Sequence, residues 1–381
     1  MIAAASSQCR AHSARPYAPA EPGVSTSRRK RFIQRGLTAS SREVTGNARQ
    51  TQSVLSCGNV KARAFRRGRG GARVRSTLCK ENSEENLMAQ AQRKQQARDW
   101  PFEVKPLHPV LGCEITGITL AQAVEPTMFG KVYEAFLDYE LILFRDVDLP
   151  PATQVAFARR FGEIQIHVMN QYQKYPEFPE IYMLTNADKD GKPTGKHPDK
   201  GTLHWHTDGS WRERTGQATM MYSEIVPPAG GETEFADMYS AYDNLPAEMK
   251  KRIEGKRAIH NLDFSRTRRH GEDPMTAEQK AKVPPIAHPI VRTHPETGRK
   301  AVFLGDHAQE IEGMDYDEGR ALIEELNVLI TPQDQVYTHV WSPRECMVWD
   351  NRCTLHRATG FDEANHVRVM RRCTINGDRP Y

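Results

Sequence analysis

From residue 101 to the C-terminus, apolar positions come mostly in short runs with every second residue polar or small, and Gly or Pro separates the runs. A period of two is the pattern of a half-buried strand, and it predicts strands over 102–107, 113–120, 141–144, 181–184, 203–205, 218–225, 232–235, 286–292, 301–304, 335–341, 346–349 and 367–375. The period changes to 3.6 in four places, predicting helices over 128–137, 151–161, 247–253 and 316–330; in the second, Val155, Phe157, Ala158 and Phe161 share one face. Many short strands with few helices imply a mainly β domain, a sandwich or barrel with helices packed outside it. Two polar stretches, 186–201 and 264–285, are long for structureless connections and are candidate lids or partner surfaces.

The first 80 residues follow neither period. They hold 14 Arg and three Lys against only Glu21 and Glu43, a net +15, so a total of +5 leaves the remainder at −10. The basic balance therefore says nothing about nucleic-acid binding by the acidic body. Rich in Arg, Ser, Ala and Gly and without an apolar run, this stretch is read as a transit peptide, for a plastid ahead of a mitochondrion. Three other readings compete: a nuclear signal at Arg28 to Arg31, an RNA-binding tract at Arg66 to Arg75, or a true start at Met88 that would leave the protein cytoplasmic. Residues 81–100 read as a linker and 101–381 as the folded domain. Seven cysteines, an odd number with no CxxC pair, imply reduced thiols. No apolar window is long enough for a membrane span.

Candidate chemistry concentrates in Leu203 to Trp211, LHWHTDGSW. On a strand entering a turn, His206 and Asp208 project from the same face, offering one imidazole nitrogen and one carboxylate oxygen. Two His and one carboxylate on a single triangular face suit iron(II) and leave three positions open. His356, in WDNRCTLHR (Trp349 to Arg357), is the best third ligand. The HxD triplet by itself is weak, and His204 is a rival that would allow a His-rich, zinc-type site. His167, His260, His307 and His339 stand singly, as core or surface histidines usually do. Val367 to Arg372, VRVMRR, puts Arg368, Met370 and Arg372 on one strand face with Arg371 on the other. Two guanidinium groups about 13 Å apart beside a metal suggest two anions to be held. GKPTGK at 191–196 is one residue short of a P-loop.

With these residues in view the chain resembles the TauD/TfdA family of 2-oxoglutarate-dependent dioxygenases over about residues 101–380, nearer the 2,4-dichlorophenoxyacetate dioxygenase branch than the taurine branch. VPPAGGETEFADMYSAYD (226–243), PIVRTHPETGRKAVFL (289–304) and 347–357 carry the likeness. It implies a double-stranded β-helix (jelly-roll) core and a homo-oligomer. His206, Asp208 and His356 fall on the family's iron ligands, Arg368 and Thr233 on the pair that holds the far carboxylate of 2-oxoglutarate, and Arg372 and His167 on substrate contacts. The implied reaction uses Fe(II), 2-oxoglutarate and O2, releases succinate and CO2, and hydroxylates, and in some cases thereby cleaves, a small anionic substrate such as an aryloxyacetate-like carboxylate or a sulfonate. Asn170 and Thr202 stand where the taurine enzymes have Tyr and Asn, which counts against taurine. The alternatives are a taurine-type sulfonate dioxygenase and a non-catalytic metal-binding barrel, and the latter would be expected to lack part of the triad or Arg368.

Overall fold

The computed structural model describes residues 98–166 and 175–381. The leader, most of the linker, His167 and Asn170 lie outside the described residues. In chain order the strands are β1 (Glu103–Pro106), β2 (Cys113–Thr116), β3 (Leu141–Phe144), β4 (Ile164–Gln165), β5 (Tyr182–Thr185), β6 (Gly216–Ile225), β7 (Thr233–Asp237) and β8 (Arg257–His260). They continue as β9 (Ile286–Pro289), β10 (Val291–Thr293), β11 (Lys300–Val302), β12 (Ala308–Ile311), β13 (Tyr337–His339), β14 (Cys346–Asp350), β15 (Thr354–Ala358) and β16 (Val369–Asn376). An eight-stranded sheet runs β1-β2-β3-β14-β6-β16-β4, with β5 also on β16. A smaller sheet, β13-β7-β15, supplies a second layer, and β12-β8-β9 and the β10-β11 hairpin complete the strands.

Side chains alternate across a strand, so each strand of the large sheet contributes to two different cores. On one face Ile142, Phe144, Met220, Val348, Cys373 and Ile375 pack with the helices Leu120–Val124, Pro126–Tyr139 and Pro151–Phe161. On the other, Leu141, Leu143, Met221, Met347, Trp349 and Met370 meet Phe235 and Tyr337 of the small sheet. The far side of the small sheet, with Ala236 and Leu355, is covered by the helices Met238–Asn244, Ala247–Ile253 and Tyr316–Ile330. The mainly β domain with flanking helices is thus as the sequence patterning indicates. Strand β3 (LILF) is buried on both faces and reads as a continuous apolar run for that reason.

Trp349 is fully buried between the sheets, its ring 5.3 Å from Phe235 and 4.8 Å from His356. The same alternation assigns the polar residues. Thr219 shares a face with Met221, Thr233 with Phe235, and Arg372 with Met370, so all of them belong to the layer between the sheets. Arg371 takes the opposite face, with Glu224 at 3.1 Å and the Tyr222 ring at 4.5 Å.

One predicted strand is absent, and several observed strands lie outside the patterning. Residues 203–205 are not a strand: 200–203 form a single 3-10 turn, and only His206 pairs, as an isolated bridge with His356. Strands β8, β12 and β15 have no clear sequence signal, because each is short and carries polar residues that are buried or half-buried instead of facing water. Among the described residues Cys113, Cys346, Cys353 and Cys373 are buried free thiols, and no helix is long and apolar enough to cross a membrane.

A buried ion cluster ties the β10-β11 hairpin to the β14-β15 turn. Arg352 grips Asp350 through Nε at 2.8 Å and Nη2 at 2.6 Å, also reaches Glu296, and His294 Nε2 donates to Asp350 at 3.1 Å. His294, Asp350 and Cys353 lie close enough to suggest a metal set. The carboxylate is however already saturated by Arg352 and His294, and burial pushes the Cys353 thiol well up. Removing one member of such a cluster strands a buried charge, at a cost of about 3–5 kcal/mol. Arg352→Ala is therefore expected to lower stability by that amount in urea denaturation, and Asp350→Asn combined with Arg352→Gln to cost clearly less.

Candidate active site

The site begins with two backbone hydrogen bonds. His206 N–H donates to His356 O at 3.0 Å and His356 N–H to His206 O at 2.8 Å, so a residue after a polar turn is held against the edge of β15. The two rings come within 4.2 Å, centroid to centroid. His206 Nδ1 donates to His204 O at 2.7 Å, which fixes the tautomer and leaves Nε2 as a lone pair. Two residues on, the chain turns at Gly209, whose φ is +71° and where an added β-carbon would sit 3.1 Å from Gly216 N. That close approach aims Asp208 back at the pair. One carboxylate oxygen lies 3.8 Å from His206 Nε2 and the other 3.9 Å from His356 Nε2.

All three side chains are buried. Burial alone would raise the Asp208 carboxyl, but Arg372, His356, His206 and the Thr219 hydroxyl outweigh it and hold it below the usual range. Burial drives His356 well down, so its imidazole is neutral. The donor set is one carboxylate and two imidazoles around a common point, with ligand atoms within 4.8 Å of one another. That set fits a divalent iron-type cation.

Polar support for Asp208 comes from residues that sequence reasoning missed. Thr219 Oγ1 donates to the carboxylate and accepts from Asn351 Nδ2 at 2.9 Å. Asn351 Oδ1 accepts from Asp208 N at 3.3 Å and from Trp349 Nε1 at 3.1 Å. The available signal was a Thr at an inward position of β6 and an Asn in the turn just before His356. His356 Nδ1 has no such support among the described residues and lies beside the Trp349 ring.

The arginines divide the site into two compartments. Arg372 Nη1 lies 3.5 Å from Asp208, and its guanidinium stacks 5.1 Å from the Tyr182 ring. It borders a cavity of about 860 Å³ with His206 and Asp208. The cavity's outer walls are Pro198, Asp199, Gly201, Thr202 and much of 262–283, so the end of the first long polar stretch and much of the second line the site. Arg368 and Thr233 lie outside those walls. Arg368 is 5% exposed, and among the described residues its guanidinium makes one hydrogen bond, from Nη2 to Gly231 O at 3.3 Å. Its Nε is unpartnered, no carboxylate pairs with it among the described residues, and burial alone pulls it down to about 10. Thr233, two residues past Gly231, accepts from Trp341 Nε1 at 2.9 Å. A buried cation without an anion is costly, and this nook fits an incoming carboxylate.

His204 does not join the ligand group. Its ring stacks on His270 at 5.1 Å, and His270 is held by Asp306 at 2.6 Å. Thr202 lies in the cavity wall, its hydroxyl donated to Asp199 O at 2.7 Å. His339 is a hydrogen-bonded core residue, 2.9 Å from Glu345. His260 is buried with no hydrogen-bond partner among the described residues.

Residues 103–374 match the family model described as taurine catabolism dioxygenase TauD, TfdA family. The chain belongs to the TauD/TfdA family. It is 34% identical over 278 residues to the alpha-ketoglutarate-dependent 2,4-dichlorophenoxyacetate dioxygenase of Cupriavidus pinatubonensis, covering 71% of this chain and 96% of that one. It is 32% identical over 291 residues to the (S)-phenoxypropionate/alpha-ketoglutarate-dioxygenase of Sphingobium herbicidovorans, covering 73% and 96%. A crystal structure of AAD-2 in complex with Mn(II) and N-oxalylglycine superposes with a TM-score of 0.66 at 32% identity, covering 73% of this chain and 98% of that one. This TauD/TfdA protein is an alpha-ketoglutarate-dependent dioxygenase whose cofactors are Fe(II), 2-oxoglutarate and O2.

Hydrogen bonds behind metal ligands commonly control metal affinity by 10- to 100-fold. Thr219→Val in this dioxygenase is expected to weaken Mn(II) binding by about tenfold, read by isothermal titration calorimetry, with the fold intact by circular dichroism.

Proposed function

We propose that this dioxygenase hydroxylates a small organic acid, with His206, Asp208 and His356 holding Fe(II) and Arg368 with Thr233 holding the far carboxylate of 2-oxoglutarate. The observation that carries the reading is Arg368, a buried guanidinium with no anion among the described residues, hydrogen-bonded to Gly231 O two residues before the buried Thr233 and close in sequence to the ligand His356. Arg372 receives the acid group of the substrate in the cavity. The two similar enzymes are named for aryloxy acids, which supports a carboxylate ahead of a sulfonate. The two facing sheets support a double-stranded β-helix core. The domain is read as 101–381, working as a homo-oligomer, and the basic leader as a plastid transit sequence.

When bound, iron with 2-oxoglutarate and O2 supplies the oxidising power, 2-oxoglutarate leaving as succinate and CO2 while one oxygen atom enters a substrate C–H bond. The chain's own part is placement. The His204 carbonyl orients His206, Arg372 and Thr219 hold Asp208 ionised, and Asn351 fixes Thr219 and the Asp208 backbone. Trp349 and Phe235 keep water from the inner side of His356. Arg372 sets the distance between the substrate's acid group and the metal ligands, and the lids close the remaining approach.

Purified protein with Fe(II) is expected to convert 2-oxoglutarate to succinate slowly, and faster with an accepted acid from a panel of carboxylates, aryloxy acids and sulfonates. Arg368→Ala removes a charge-assisted hydrogen bond worth about 1.5–3 kcal/mol and is expected to raise the KM for 2-oxoglutarate roughly 10- to 150-fold. His206→Ala should abolish metal binding, whereas His204→Ala should only weaken it. No succinate release across the whole panel would favour a non-catalytic metal-binding barrel.

A further inference from the structure

One polar group in the cavity wall has no part in the mechanism above. His307 precedes β12 and borders the same cavity as His206, Asp208 and Arg372. Its Nδ1 lies 2.7 Å from the hydroxyl of Ser265, a residue of the lid segment. That hydroxyl is also 3.0 Å from Leu262 O. A carbonyl oxygen only accepts, so the single hydroxyl proton of Ser265 is directed to Leu262. Both contacts are hydrogen bonds only if the second proton comes from His307 Nδ1. Burial holds His307 neutral by pushing it down to about 4, and a neutral imidazole carries one proton. His307 Nε2 is therefore a bare lone pair, and it has no hydrogen-bond partner among the described residues.

The rest of the wall is acceptor-rich in the same sense. Arg266 and Lys282, which also line the cavity, are neutralised by Glu272 at 2.7 Å and Glu278 at 2.8 Å. Asp199 and Asp273 line it with no ion-pair partner among the described residues. Arg372 is left to take an acid group, while these two carboxylates and the bare nitrogen of His307 offer lone pairs.

We propose that the substrate carries, besides its acid group, a hydroxyl or N–H donor that His307 Nε2 accepts, with Ser265 as the positioning residue that keeps that nitrogen unprotonated. This rests on the assignment of the cavity as the substrate site of a 2-oxoglutarate dioxygenase. A simple aryloxyacetate has no such donor, and its ether oxygen would set one lone pair against another. The lid thus contributes to selectivity through the tautomer of a residue it touches.

Two measurements test this. Long-range 1H–15N NMR on 15N-histidine-labelled protein loaded with Zn(II), with His307 assigned through its loss in His307→Gln, should show the proton on Nδ1. In Ser265→Ala the proton should move to Nε2. A wild-type His307 protonated on Nε2 would overturn the proposal whatever the substrate is. Calorimetry on protein loaded with Mn(II) and 2-oxoglutarate should then find mandelate binding about tenfold more tightly than its methyl ether, which differs by one donor. The preference should collapse in Ser265→Ala. Equal or tighter binding of the ether would sink the donor requirement. If neither acid binds although Mn(II) and 2-oxoglutarate do, the assignment of this cavity to organic acids fails, and the NMR result still stands or falls separately.

Discussion

Everything at the site depends on the pair of backbone hydrogen bonds between His206 and His356. Each is an ordinary amide bond, worth about 1 kcal/mol net. Together they join a turn that has no sheet of its own to the edge of a strand 150 positions later, and so bring two imidazoles within 4.2 Å of each other, centroid to centroid. Asp208 then needs only one tight turn at Gly209 to complete the set. Without the bridge, the HxD triplet would be a polar loop with no third partner.

The layer between the two sheets gives those ligands their chemical character. It is dry enough to neutralise His356 and yet holds Asp208 ionised, because Arg372 and Thr219 compensate what burial costs the carboxylate. The same dryness leaves Arg368 a buried cation with no carboxylate partner among the described residues, which is unfavourable for the empty protein and is the basis of its proposed role in holding 2-oxoglutarate. Stability is given up where binding is required, and buried clusters such as Asp350, Arg352 and His294 offset it elsewhere.

Access is governed from outside that layer. The 264–285 segment is held on Asp306 by Arg269 and His270; Asp306 N–H donates to Trp205 O, and His270 stacks on His204, which ties both to the His206–Asp208 loop. His204 is thus a structural neighbour whose backbone, and not its ring, serves the metal site. His307 and Ser265 show the complementary case: a histidine that stands alone in the sequence acquires a defined polarity from a residue of the lid.

The sequence by itself determined most of the element types and the alternation that sends Thr233, Arg368 and Arg372 inward, because strand periodicity is a local property. It also supplied the ligand candidates, since HxD and the arginine spacing are visible without a fold. That His356 is set against His206 and Asp208 while the His204 ring stacks on His270 instead is visible only in the tertiary structure, because register between distant strands depends on packing that no local pattern encodes. Thr219, Asn351 and His307 were unreadable for the same reason: a Thr in a strand, an Asn in a turn and a lone His gain meaning only from what the fold sets against them.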